Sequence, residues 1–125
     1  MNQIEQNKAR ILIVVNNDEL TEFEGNYHSV GRMPLKKNRQ IKFEMQEIPF
    51  IPKASYYMFT DGYLDQFGGG NNKKFGLKRF KELLKSIGPL SVDKQKQVIT
   101  DEFITWKKKN KQTDDILIIG FKLNN

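Results

Sequence analysis

Two helical stretches in succession constrain the fold of this chain more than any other feature. From Phe75 to Ile87 the apolar residues Leu77, Phe80, Leu84 and Ile87 share one helical face, with Leu83 beside them. Gly88-Pro89 is a stop signal. Ser91 then offers an N-cap, and Asp93 falls in the first turn, where a carboxylate suits the helix dipole. The second helix is expected to run to about Trp106, with Val92, Ile99, Phe103 and Trp106 inward. Lys107, Lys108 and Lys109 stand at its end, where cations are favoured.

On either side the pattern is that of strands. Arg10–Asn16 is β-branched and reads as a buried strand. Asn16-Asn17-Asp18 signals a turn, and Leu20–Glu24 is placed to close a hairpin. Ile41–Ile48 alternates, with Ile41, Phe43 and Met45 on one face and Lys42, Glu44 and Gln46 on the other, as an antiparallel strand with one wet face does. Pro49 and Pro52 end it. Ser55–Phe59 is a further strand, Asp61 to Asn72 a glycine-rich loop, and Ile116–Phe121 a last strand expected to be fully buried. Four strands, two helices and one strand give an α+β fold rather than an alternating one.

At 125 residues the chain is one domain. Nine Phe, four Tyr and one Trp argue against disorder, and the absence of Cys excludes disulfides, thiolate metal sites and cysteine nucleophiles. The longest apolar runs, Ile11–Val15 and Ile116–Ile119, are too short to span a membrane. No signal-peptide pattern opens the sequence, so a cytoplasmic location is expected. The net charge of +6 is uneven: residues 71–111 carry +8 and the remainder −2. A basic half suits a polyanion partner, or is simply a lysine-coated helical surface. Nucleic-acid binding would need aromatics among the lysines on an exposed face, whereas Phe80, Phe103 and Trp106 lie on inward faces.

Two carboxylate positions carry possible chemistry. Asp61, in Thr60-Asp61-Gly62, directly follows an aromatic strand. Asp114-Asp115 directly precedes an apolar one, and adjacent carboxylates there repel one another and resist desolvation. A hard divalent cation such as Mg²⁺, Mn²⁺ or Ca²⁺ relieves both, while Gly62 lets a backbone or ligand approach closely. An ordinary Asp-Gly turn and a solvated loop entry explain the same residues without a metal. Gly68–Gly70 matches no phosphate-binding fingerprint and reads as a flexible loop. His28 is the only histidine and nothing pairs with it, so nucleophilic catalysis is not supported.

These residues carry a resemblance. Tyr57–Gly69, followed by Lys73-Lys74-Phe75 and Phe80–Leu84, resembles the stage II sporulation protein E type of bacterial phosphatase, one of the PPM (protein phosphatase 2C-like) metal-dependent serine/threonine protein phosphatases. Thr113–Gly120 resembles that family's last strand, and Val15–Leu20 and Gly25–Gly31 also fit. The similarity covers roughly residues 8–123, leaving 1–7 as a poorly ordered N-terminus. It implies a partial β-sandwich of antiparallel strands with two helices packed on one side, and a site with two Mn²⁺ or Mg²⁺ ions that activate water against phosphoserine or phosphothreonine. Carried over by motif, Asp61 and Asp114 are metal ligands, and Gly62 and Asp115 support them as neighbours.

The family also has an upstream segment, with an acidic residue and an Asp followed by Thr-Gly-His-Gly, which this sequence lacks. The resemblance is therefore to the C-terminal part of the phosphatase domain. Two octahedral ions need about twelve donor positions, so the site is expected to be incomplete and the isolated chain inactive or very weak, its phosphoprotein substrate belonging to the intact domain. A non-catalytic regulatory or binding module on the same scaffold is the alternative. Lys53-Ala54-Ser55 stands where the family often has a Gly-Asp turn before the strand, a difference expected to be harmless. A truncated sandwich exposes sheet edges, which implies self-association or association with the missing part.

Overall fold

The computed structural model describes residues 8–26, 48 and 50–123. The expected strand Ile41–Ile48, apart from Ile48 itself, lies outside the described residues, as do residues 1–7 and His28.

β1 (Lys8–Asn16) and β2 (Glu19–Asn26) form the expected hairpin, with Asn16 opposite Glu19 across a two-residue turn. Asn17 takes φ 58° there, a left-handed conformation that Asn tolerates better than most residues. β3 (Ser55–Phe59) pairs antiparallel with β1, and β6 (Ile118–Lys122) pairs antiparallel with β3, giving one sheet in the order β2-β1-β3-β6. Between β3 and β6 the chain makes a two-stranded ribbon, β4 (Phe67–Gly68) with β5 (Lys73–Lys74), then α1 (Gly76–Ile87) and α2 (Val92–Lys107).

Strand alternation sorts the core onto two faces. On one face Ile13, Val15 and Tyr57 meet Phe80, Leu84 and Ile87 of α1, with Tyr63, Leu64 and Phe75 closing the cluster. On the other face Leu12, Val14, Ala54 and Tyr56 form a smaller cluster, bordered by Phe23, Ile48, Ile51 and Phe121. β1 is buried on both faces, as its unbroken apolar run requires. α1 is also tied to β2 by Lys81 and Glu22, 2.6 Å apart.

The last strand departs from expectation. It begins at Ile118 rather than Ile116 and is not fully buried: Ile119 is 45% exposed and Leu117, just before it, 56%. The reason is position, since β6 is an edge of the sheet among the described residues. Val92, expected inward, is 48% exposed, and the buried residue of α2 is Gln95. Gln95 Nε2 donates to Ser55 Oγ, Gly88 O and Leu90 O, and its Oε1 accepts from the Tyr57 hydroxyl. Ser91 caps α2 as expected, accepting from Lys94 N–H at 3.3 Å. Gly88 ends α1 at φ −50°, so it serves by its small size: a Cβ there would lie 2.5 Å from Val15 Cγ1. Lys53 leaves β3 intact but takes φ 70°, a strained conformation for a residue with a Cβ.

Candidate functional site

Asp61 and the Asp114-Asp115 pair are far apart in sequence, and the structure brings their segments into contact. Thr60 makes the join. Its N–H donates to Leu117 O at 3.0 Å, its Oγ1 donates to Asp115 O at 3.3 Å, and the same Oγ1 accepts from Leu117 N–H at 3.1 Å. This clasp prolongs the β3–β6 pairing past Phe59↔Ile118. Gly62 is buried against the same segment, and a Cβ on it would lie 2.1 Å from Asp115 O. No side chain fits there, so the glycine is required by backbone approach.

The turn after Asp61 is closed by Asp65 N–H donating to Asp61 O at 2.9 Å. Tyr63 and Leu64 anchor it in the core, and the Tyr63 hydroxyl donates to Ile99 O of α2 at 2.8 Å. Burial, with the nearby Glu102 charge adding to it, holds the Tyr63 hydroxyl well above the ordinary tyrosine range. On the other side, Asp114 Oδ1 accepts from Asp115 N–H at 2.9 Å, and Gln112 Nε2 donates to Asp114 O at 3.0 Å.

The carboxylates themselves differ from the expectation of desolvation: Asp61, Asp114 and Asp115 are all exposed. Asp61 follows the end of β3 and Asp114-Asp115 precedes β6, at the end of the β3–β6 pairing where Phe59 faces Ile118. What they share is a solvent-open position on two segments joined through Thr60. Among the described residues, however, no group of three or more His, Cys, Asp or Glu is arranged to hold a metal. The residues present therefore do not fit a two-ion centre by themselves.

The glycine-rich loop is neither a phosphate cradle nor loose chain. A Cβ on Gly68 would lie 1.9 Å from Trp106 O, and one on Gly69 2.6 Å from the indole ring. Gly69 N–H donates to Trp106 O, and the indole N–H donates to Gln66 O, both at 2.9 Å. Arg79 lies over the same indole, 4.8 Å from its centre. These glycines make room for Trp106, which holds the β4–β5 ribbon against α2. Neither Thr60 nor Trp106 stands out in sequence for these roles; the glycines opposite each of them were the available signal.

The family model described as Stage II sporulation protein E (SpoIIE) matches residues 13–124. The chain belongs to that family. Among solved structures it is similar to the SiaA-PP2C domain of Pseudomonas aeruginosa, at 25% sequence identity and a TM-score of 0.76. The likeness covers 92% of this chain and 44% of that one, so the chain spans less than half the length of the domain it matches. A search of curated proteins finds no match. The α+β reading and the SpoIIE-type, protein phosphatase 2C-like assignment both stand on these findings. Among the described residues no helix is long and apolar enough to cross a membrane.

Proposed function

We propose that this SpoIIE-family chain is a bacterial signalling module that supplies Asp61 and Asp114 to the divalent-metal site of a phosphoserine/phosphothreonine phosphatase. The observation that carries the reading is the contact of the two carboxylate segments through Thr60 and Gly62. It joins the two segments that carry these carboxylates, from distant parts of the sequence, at one end of the β3–β6 pairing. Gly62 supports the reading by leaving room for the Asp115 carbonyl. Mn²⁺ or Mg²⁺ would supply an activated water and a clamp on phosphoryl oxygens.

The donor set of the described residues is partial, so the account assigns the chain weak binding of one ion and turnover of a phosphoserine peptide near background. Melting with and without Mn²⁺ tests this. At about 1 mM Mn²⁺, ten times a Kd of about 100 μM, the folded state gains about 1.4 kcal/mol, a rise in Tm of roughly 5 °C. The rise is expected in the parent chain and not in Asp61→Asn. Manganese-dependent phosphopeptide turnover by the chain alone, abolished by Asp61→Asn, would overturn the partial-site part of the reading. A non-catalytic binding module on the same scaffold is favoured by the same partial donor set, and it predicts no manganese response at all.

A further inference from the structure

Past the paired ends of β3 and β6, the two segments that carry the carboxylates keep the register of the sheet. Phe59 faces Ile118 in the last pair of the ladder. Thr60, one residue on, bonds Leu117, one residue before Ile118. Gly62, three residues on, packs against Asp115, three before. Gln66, seven residues on, reaches Lys111, seven before, and its Nε2 donates to Lys111 O at 2.9 Å. A slip of one residue would break all three contacts together.

Between these points the segments are folded on themselves rather than laddered. The turn after Asp61 is closed by Asp65 N–H on Asp61 O. The approach to β6 is folded by Gln112 Nε2 on Asp114 O and by Asp115 N–H on Asp114 Oδ1. A side chain therefore carries the register to the far end. Gln66 is 1% exposed, and its backbone is held from both sides. Its N–H donates to Tyr63 O at 3.3 Å, and its carbonyl accepts from Phe75 N–H and from the Trp106 indole, each at 2.9 Å. Nε2 also donates to Phe67 O at 3.1 Å, so both of its protons are engaged and the plane of the amide is set.

We infer that Gln66 is a positioning residue: its side-chain amide holds the Lys111–Asp115 segment against the loop that begins at Asp61, and so sets where Asp114 stands relative to Asp61. Thr60 pins one end of the facing segments and Gln66 the other. With one tie the approach to β6 is free to swing about Thr60, and the second tie removes that freedom. The inference concerns the chain's own segments and does not depend on the metal reading.

Amide hydrogen exchange of the full chain, followed by NMR, reads this directly. Gln66→Met fills a similar space without the amide. It is expected to speed exchange of the Thr60 and Leu117 amides, which form the other tie, at least about tenfold, while the amides of β1 and α1 change by less than about twofold. Exchange at Thr60 and Leu117 that stays as in the parent chain overturns the inference. So does an equal rise throughout the protein, which would make Gln66 a core residue and nothing more. A second measurement needs no variant. In the parent chain the Gln66 side-chain amide protons are expected to exchange at least about a hundredfold more slowly than those of the exposed Gln97. Equal rates would mean that the bond to Lys111 does not hold, and would overturn the inference as well.

Discussion

At Gly62 a hydrogen is all the space allows, because the Asp115 carbonyl occupies the place of a side chain. Gly62→Ala must push the Asp114–Leu117 segment away from Thr60, at a cost of about 1–3 kcal/mol typical of overpacking. Urea unfolding measures that loss, and manganese binding is expected to fall with it. Lys53 is the opposite case. It is exposed and held at φ 70°, so Lys53→Gly relieves strain at no loss of packing and is expected to stabilise the fold by about 0.5–1 kcal/mol after glycine's entropic cost. The resemblance pointed to that position, where the family often has Gly, but the strain itself was visible only in the backbone.

The tyrosines supply a pH prediction at the same scale. Burial raises Tyr57 above its ordinary value of 10, and burial, with the Glu102 charge adding to it, raises Tyr63 as well. A raised folded-state pKa means that the unfolded chain releases its protons first. Stability present below pH 10 is therefore lost as the pH rises above it, at up to about 1.4 kcal/mol per pH unit for Tyr63 and in the same direction for Tyr57. Denaturation at about pH 9 and about pH 11 is expected to show this fall, and Tyr63→Phe to make it shallower by one group.

Among the elements, α2 shows where sequence pattern succeeds and where it stops. Its start was legible because Ser91 followed by Asp93 is a local signal, and Ser91 does cap Lys94 N–H. Its inward face was misread at Val92 because periodicity ranks residues by polarity. Gln95 is buried by tertiary context instead, as its amide satisfies Ser55, the carbonyls of Gly88 and Leu90, and the Tyr57 hydroxyl. Gln95→Leu leaves those buried groups without a partner and is expected to cost about 2–3 kcal/mol in thermal unfolding. Ser91→Ala removes only the cap and is expected to cost about 1 kcal/mol. β6 was misjudged for a related reason. Its apolar run matches that of a central strand, and composition alone does not distinguish a central strand from an edge.

For the molecule as a whole, the β1–β2 hairpin, β3, the two helices and the last strand are legible in local runs, while the β4–β5 ribbon is not. The resemblance names Asp61 and Asp114-Asp115, and the contact of their segments through Thr60 shows only in the fold. The desolvation expected of those carboxylates was not found, since their burial depends on what packs over the edge, and all three are exposed. The central claim is that Asp61 and Asp114 together hold a divalent cation. Calorimetric titration with Mn²⁺ of the parent chain, Asp61→Asn and Asp114→Asn tests it most directly. The account predicts one weak site of about 100 μM, or roughly −5.5 kcal/mol, lost in either variant. No binding by the parent chain, or binding that survives both substitutions, would contradict it.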